Sequence, residues 1–170
     1  MKKLLLIIIS GSLFGCANGF KGDENSLGNP VYYAKADVYG LKSKRKLGAL
    51  KFSEAFGKVK VMGKVGSLLT GGEHGISIYE YGDCANTGER YKGMDKNPLK
   101  AIGRLGNIVA NNKGSATIEM EIEGLSINTG KYPIVGRSIV IHQHKDDMVS
   151  KGHGGAGTKI ACGVIGAASK

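Results

Sequence analysis

Residues 71–84, GGEHGISIYEYGDC, are the most informative stretch of this chain. Residues 74–79 alternate in the manner of a β-strand, which places His74 and Ile76 on one face because side chains two positions apart share a face. Ser77 and Tyr79 fall on the other face and do not continue a clean apolar or polar pattern. The stretch therefore predicts a strand whose second face is chemically mixed.

Short alternating runs bounded by Gly or Asn lie on both sides of this strand. They cover residues 31–39, 46–54, 58–65, 73–81, 116–123, 138–142 and 158–165. The run TIEMEIE at 117–123 shows the two-residue period of a half-buried strand most clearly. Residues 111–114, NNKG, are typical of a hairpin turn because Asn and Gly tolerate positive φ. We expect an all-β sandwich or flattened barrel of seven or eight strands, with two long irregular loops at 85–106 and 143–157.

The N-terminus carries an export signal. Lys2 and Lys3 precede an apolar run at residues 4–14 that is too short to span a bilayer, which needs roughly 20 apolar residues. Residues 13–16, LFGC, resemble a bacterial lipobox, in which Cys16 is lipidated and becomes the mature N-terminus. The alternative is an ordinary signal cleaved close to residue 17. We therefore expect a signal peptide at 1–16, a flexible tether at 17–30 and one domain at 31–170.

The chain is basic, with 24 Lys and Arg against 14 Asp and Glu and a formal net charge of +10. Loss of Lys2 and Lys3 with the signal would leave about +8. A basic exported protein is attracted to anionic envelope surfaces, although a solvated face without a specific partner explains the same charge. The densest basic run is KSKRK at 42–46. Because aromatic residues do not interleave with the basic ones, we expect no nucleic-acid binding.

The chain has three cysteines, Cys16, Cys84 and Cys162. If Cys84 and Cys162 pair in an oxidising compartment, one thiol is left over. Lipidation of Cys16 would account for it.

Residues 71–84 closely resemble the copper-binding strand of the bacterial Cu,Zn superoxide dismutases, which reads H-G-F-H-x-H. The other segments that carry the resemblance are LGNIVA at 105–110, GRSIVIH at 136–142, DD at 146–147 and IACGVIG at 160–166. The resemblance extends over residues 34–166. It implies a Greek-key β-barrel of about eight antiparallel strands with two long loops, in which Cys84 and Cys162 form a disulfide.

Most metal-binding residues of the family are replaced in this sequence. The two copper His of the strand fall on Ser77 and Tyr79, the bridging His on Arg90, one zinc His on Ala101 and the zinc Asp on Arg104; residues 92–99 contain no His for the remaining zinc position. Only the last copper ligand is matched, by His142. A guanidinium group has no lone pair to donate, a serine hydroxyl is a poor ligand, and tyrosine binds a metal only as phenolate. The resemblance therefore implies a divergent member without zinc, without a bound cofactor and without dismutase activity.

Two further residues bear on this expectation. In the family, the counterpart of Asp146 is an acid that supports the metal ligands, and we expect Arg104 to pair with it in a buried ion pair. Lys159 takes the position of the family's guiding Arg and keeps its charge, but it is not expected to be catalytic without a redox metal.

An alternative keeps one copper ion. His142 and His144 would share a face if their strand continues, and His153 lies in a Gly-rich stretch that would reach the same place. These His would serve a divergent copper-dependent dismutase or a copper-binding protein. Ser77 with His142 as nucleophile and base is a weaker hypothesis, because the sequence shows no oxyanion hole.

The sequence thus predicts a superoxide dismutase-like protein of the periplasm or cell envelope, anchored by lipid to the outer rather than the inner membrane. We expect it to act as a binding or structural module toward an anionic envelope component or another protein.

Overall fold

The computed structural model describes residues 32–95, 97–150 and 152–170. The predicted signal peptide (1–16), its lipidation site Cys16 and the predicted tether (17–30) lie outside the described residues. Within the described ranges, none of the helical structure is long and apolar enough to cross a membrane.

The regular structure of the described residues consists of nine β-strands and one short 3₁₀ helix. The strands are β1 (Tyr33–Gly40), β2 (Lys46–Ala55), β3 (Lys58–Val65), β4 (Glu73–Tyr79), β5 (Arg104–Val109), β6 (Ala116–Glu123), β7 (Ser138–His142), β8 (Lys159–Val164) and β9 (Gly166–Ala167), and the 3₁₀ helix is Pro98–Lys100. Each of the seven alternating runs in the sequence coincides with a strand to within two residues at either end, which confirms those predictions.

Strand β5 corrects the expectation that residues 85–106 stay irregular, because it begins at Arg104. Its backbone pairs with β4, with His74 opposite Ile108. Gly106, at φ 99°, interrupts the apolar alternation that would have marked this strand. Its pairing also depends on a partner about thirty residues away, which no local pattern records.

The sheet runs in the order β5-β4-β7-β8-β1-β2-β3-β6, and β9 pairs with β1. The neighbours along this path are antiparallel. Strand β3 lies beside β6 and β4 beside β7, so the chain crosses between strands that are distant in sequence, as a Greek key requires. The turn at 111–114 links β5 and β6, the two ends of the path, and Gly114 takes φ 67° there. The predicted all-β Greek-key barrel is confirmed.

Alternation divides the side chains of β4 and β7 between two environments. Ile76, Ile78 and Ile139 point into the main core of the barrel, where each is almost completely buried. Burial of one such side chain stabilises the fold by roughly 1.5–3 kcal/mol. Tyr79 and Val140 point outward and pack in a second buried cluster with Cys162 of β8. The outer face of these strands is therefore covered by loops, and the candidate site lies beneath them.

A disulfide holds the first of these loops to the barrel. It joins Cys84 to Cys162, with the two Cα atoms 5.8 Å apart. This confirms the pairing that the family resemblance implies. The bridge ties the segment after β4 to strand β8, which forms one side of the covered face.

Candidate functional site

A buried cluster of charged and polar side chains lies on the outer face of β4 and β7. Its members are Ser77, Tyr79, Arg90, Arg104, His142 and Asp146, all of them at most 9% exposed. Strand positions fix four of these residues, while Arg90 and Asp146 come from the two loops above. Polar groups at this depth are stable only when they are paired, so the partners of each group decide what the site can do.

Asp146 is at the centre of the cluster and is held by two arginines. Arg104 donates from Nε to Oδ2 at 2.9 Å and from Nη2 to Oδ1. Arg90 Nη2 lies 3.0 Å from Oδ2, close enough for an ion pair although not aligned as a hydrogen bond. The backbone N–H of Met148 donates to Oδ1 at 2.8 Å. The buried Arg104–Asp146 ion pair expected from the sequence is present, and Arg90 adds a second cation to it.

These contacts keep Asp146 ionised. Burial alone would raise its pKa, but the hydrogen bonds from Arg104 and Met148 and the two guanidinium charges outweigh that effect, and the pKa of Asp146 lies below its ordinary value. Oδ1 accepts two hydrogen bonds, and Oδ2 accepts one and lies beside the Arg90 guanidinium, so a metal ion would have to compete with three donors and two cations. The Asp146 carboxylate is therefore bound by the arginines and is not free to bind a metal ion.

The loop that carries Asp146 is fixed to the barrel around this ion pair. Asn107 of β5 donates from Nδ2 to the Asp146 carbonyl at 2.8 Å and accepts from the Asp146 N–H at 2.7 Å. Arg90 donates from Nη1 to the Gly152 carbonyl at 3.0 Å. Gly154, at φ 58°, passes so near that a Cβ there would stand 1.9 Å from Asp146 Oδ1. The Gly-rich stretch of the loop is thus needed to fold back over the ion pair.

Tyr79 lies between two imidazoles. Its hydroxyl oxygen is 3.0 Å from His142 Nε2 and 2.8 Å from His153 Nδ1. His142 Nδ1 is 3.2 Å from the Gly157 carbonyl, which only accepts, so the proton of His142 is assigned to Nδ1. Nε2 then accepts from the Tyr79 hydroxyl, and His153 Nδ1–H donates to that hydroxyl oxygen. The tyrosine therefore caps the one free lone pair of His142.

Burial keeps the groups of this hydrogen-bonded trio uncharged at neutral pH. It raises the pKa of Tyr79 to about 12, against the opposing charge of Arg90. It also lowers the pKa of His142 to about 4. Burial, together with the charges of Arg90 and Lys159, lowers the pKa of His153 as well. Tyr79 is accordingly a phenol and not the phenolate that metal binding requires.

Lys159 lies at the edge of this trio. Its ammonium donates to the Thr87 hydroxyl and lies 4.1 Å from the centroid of the Tyr79 ring, in a cation–π contact. Burial lowers its pKa. The ammonium at the position of the family's guiding Arg thus contacts the Thr87 hydroxyl and the Tyr79 ring.

The other predicted residues lie at the margins of the cluster. His144 is exposed and is not grouped with His142, because β7 ends at His142 with an irregularity in its pairing. The condition for both imidazoles to share a face, a strand that continues past His142, is therefore not met. Ala101 is buried and lines a cavity of about 310 Å³ together with Arg90 and His153.

The Ser77 hydroxyl has no hydrogen-bond partner among the described residues. Both nitrogens of His142 are engaged elsewhere, by Tyr79 and by Gly157. The pairing of Ser77 with His142 as nucleophile and base therefore does not form.

His74 has a structural role. The side chain is 1% exposed. Its Nδ1 donates to the backbone carbonyl of His142 at 2.9 Å, which connects β4 to the end of β7.

The residues present do not fit copper or zinc. Across residues 32–95, 97–150 and 152–170, no three His, Cys, Asp or Glu side chains group closely enough to hold a metal ion. The chemistry of the donors agrees with this, because the lone pair of His142 is capped, Tyr79 keeps its proton and Asp146 is saturated by arginines. The cluster instead joins two loops to the barrel with charges and hydrogen bonds of the chain's own.

An antiparallel Greek-key barrel with a disulfide and a covered polar cluster on its outer face defines the class as superoxide dismutase-like. A sequence profile of the family described as "Copper/zinc superoxide dismutase (SODC)" matches residues 46–165. The chain belongs to this family.

Individual relatives agree with the family match. The chain is 35% identical over 136 residues to the extracellular superoxide dismutase (Cu-Zn) of Caenorhabditis elegans, an alignment that covers 71% of this chain and 61% of the nematode protein. It is 35% identical over 136 residues to superoxide dismutase (Cu-Zn) 3 of Arabidopsis thaliana, covering 70% of this chain and 82% of the plant protein. Among solved structures, the clock protein EA4 superposes with a TM-score of 0.72 at 29% identity, over 83% of this chain and 98% of that protein.

Sequence reasoning missed several groups that complete the cluster. Thr87, Asn107 and Gly154 were not singled out, and neither was Arg90 as a second partner of Asp146. Asn107 lies in the segment LGNIVA, which was used only to recognise the family. Gly154 was visible as part of a Gly-rich run, the kind of sequence that permits close backbone approach.

Proposed function

We propose that this protein is an exported superoxide dismutase-like protein that has lost both metals and the dismutase activity, and that it acts as a binding or structural module in the cell envelope. The observation that carries the proposal is the ion-pair cluster in which Arg90 and Arg104 both hold Asp146. Two fixed cations there perform the linking of loop to barrel for which the family uses metal ligands.

Electrostatics opposes a metal in this place. A divalent ion about 5 Å from one guanidinium would meet a repulsion of about 7 kcal/mol at an effective dielectric of 20. Asp146 would offset part of this repulsion if it were free, but two cations already share its charge. Arginine keeps its proton at every accessible pH, so the repulsion cannot be relieved by titration.

Export and the lipid anchor rest on the sequence signals at residues 2–16 and on the cysteine count. A disulfide between Cys84 and Cys162 supports an oxidising compartment. The net charge of about +8 that remains after loss of Lys2 and Lys3 (22 Lys and Arg against 14 Asp and Glu) supports attraction to anionic envelope surfaces. Fatty-acid labelling of cells expressing the chain tests the anchor, and Cys16→Ser should abolish the label.

Metal content with dismutation rate tests the central proposal. The purified full chain is reconstituted with copper and zinc, dialysed and measured for both metals and for superoxide dismutation. We expect far less than about 0.1 equivalent of either metal and a rate no higher than that of the untreated protein. A full equivalent of copper with metal-dependent turnover would overturn the proposal.

A variant with ligands restored serves as the matched control. Ser77→His, Tyr79→His and Arg90→His combined return imidazoles beside His142, and circular dichroism verifies that the variant folds. We expect this variant to gain copper that the parent chain does not hold. The gain would show that the replaced side chains, and not the barrel, exclude the metal.

A second candidate function is a single copper site that uses His142 and His153. It is favoured by the placement of both imidazoles around the Tyr79 hydroxyl, with ring centroids 5.4 Å apart. Copper would have to displace the hydroxyl proton to gain a third ligand, against the raised pKa of Tyr79. Electron paramagnetic resonance of the copper-treated chain separates the two candidates, because a signal lost in His153→Ala would support this copper site.

A further inference from the structure

A cationic cavity lies away from the buried cluster, between the β1–β2 hairpin and the adjoining ends of β7 and β8. Its volume is about 510 Å³. The charged and hydroxyl side chains that line it include Lys42, Arg45, Lys46, Ser67 and Thr158, and no Asp or Glu lines it within the described part of the chain. We infer that this cavity binds a ligand carrying phosphoryl or sulfate groups.

Its positive charge is largely uncompensated. Lys46 has one acidic partner, Asp37, at 3.0 Å. Within the described ranges, neither Lys42 nor Arg45 forms an ion pair. Lys159 also borders the cavity, but its ammonium is directed to Thr87 and Tyr79 of the buried site and is not counted here. Cations gathered around one concave surface concentrate the local field and attract anions.

The backbone around the cavity is held in place. The hairpin is closed by Gly40 N–H to the Arg45 carbonyl at 3.0 Å and by Lys44 N–H to the Gly40 carbonyl at 2.8 Å. Lys44 and Ser67 take φ values of 56° and 57°, a region that non-glycine residues rarely adopt. Such strain persists where the surrounding structure fixes it, and it is concentrated at binding sites. The lining side chains are therefore presented by a preformed backbone.

The chemistry of the lining selects the ligand. Arg matches the oxygens of a tetrahedral oxyanion with paired N–H donors, Lys adds point charges, and serine and threonine hydroxyls complete the donor set. A volume of about 510 Å³ is in the range of small-molecule sites and exceeds the size of one inorganic ion. The ligand is therefore a larger molecule with more than one anionic group, either free or displayed at a lipid headgroup.

This inference rests on the proposed role as a binding module, but it is tested without reference to metals. The full chain carrying Cys16→Ser is titrated with pyrophosphate by calorimetry. It is also mixed with vesicles of phosphatidylcholine alone or with about one third phosphatidylglycerol. We expect saturable binding that weakens as salt is raised, because counterion screening reduces each charge contact.

Two double variants test whether binding takes place at this cavity. The cavity variant, Lys42→Ala with Arg45→Ala, removes two cavity cations and should weaken binding by about tenfold or more. The control variant, Lys51→Ala with Lys64→Ala, removes the same charge from exposed strand positions and should change the binding affinity by less than about twofold. These substitutions are all at exposed residues, and melting temperatures verify the fold.

The pattern of results identifies the source of the ligand. If pyrophosphate binding is weakened in the cavity variant and not in the control variant, the site is supported and its ligand is soluble. If only binding to anionic vesicles is weakened in this way, the site is supported and its ligand is a lipid headgroup. Absence of binding to both probes, or equal loss in both double variants, would overturn the inference, while metal content would still test the proposed function separately.

Discussion

Replacing Arg104 by Ala tests whether the buried ion pair stabilises the fold. The substitution removes the two hydrogen bonds to Asp146 and leaves the carboxylate with Arg90 and the Met148 N–H. It also opens a space where the side chain was only 2% exposed. We expect a clear loss of stability, because a charge that is buried with fewer partners must bear more of its desolvation penalty.

The size of the expected loss of stability follows from the contacts that Asp146 keeps in Arg104→Ala. Removal of one partner of a buried ion pair destabilises proteins by about 3–5 kcal/mol. Arg90 still lies 3.0 Å from Asp146, so we place the value for Arg104→Ala near the lower end, at about 3 kcal/mol. For a domain of this size, that corresponds to a decrease in melting temperature of roughly 10 °C. Asp146→Asn should destabilise at least as much, because it leaves the buried Arg90 guanidinium without its anion and Arg104 with only Asp147, at 3.7 Å.

Urea unfolding followed by circular dichroism measures both variants against the parent chain, with the disulfide intact. Lys60→Ala is the matched control, since it removes an ion pair to Glu119 at the surface, with side chains 36% and 67% exposed, and such surface pairs contribute about 0–1 kcal/mol. If Arg104→Ala and Lys60→Ala lowered the free energy of unfolding equally, the assigned role of the buried cluster would be refuted.

Three further predictions concern the tyrosine–histidine trio and the disulfide. Tyr79→Phe should destabilise the protein by about 1–3 kcal/mol, because His142 Nε2 is left buried without a donor, whereas Tyr81→Phe, at a side chain 54% exposed, should have almost no effect; equal urea midpoints would contradict the assignment. His142 has a folded pKa of about 4 and an unfolded pKa near 6.5, so the unfolded chain binds more protons between these values. The stability from neutral His142 is therefore present above pH 6.5 and lost as the pH falls to 4. Urea titrations should show a loss on the order of 2 kcal/mol from pH 7 to pH 4.5, and His142→Gln should flatten that dependence. Reduction of the Cys84–Cys162 bridge, which is separated by 78 residues, should lower stability by on the order of 4 kcal/mol, and an unchanged melting temperature in reductant would count against it.

Local periodicity predicted most of the barrel, because a strand with one buried face records that face in its own alternation. Strand β5 was missed for the converse reason. Gly106 interrupts its pattern, and its position is determined by pairing with β4. The end of β7 at His142 was predicted from the sequence, but the course of the following loop was not, because it depends on hydrogen bonds to residues 156 and 158.

The candidate site was predictable only in part. The pairing of Arg104 with Asp146 followed from opposite charges at two family positions, although 42 residues separate them. The contacts of Tyr79 with His142 and His153 span 63 and 74 residues and depend on how a loop folds back. No pattern in the sequence places His153 over Tyr79. Proton positions in this trio likewise depend on the Gly157 carbonyl, which becomes adjacent only in the folded chain.

Fastening a loop with arginine and aspartate has a consequence for how the protein matures. A protein whose loops are held by a metal ion reaches its final structure only after the ion has bound, so the fraction of mature protein depends on how much of that metal is available. Here, both partners of the fastening are synthesised together, so assembly is complete once the chain folds and its cysteines oxidise. The protein should therefore have the same melting temperature in the presence of a chelator as in copper-rich medium, whatever the metal concentration of its compartment.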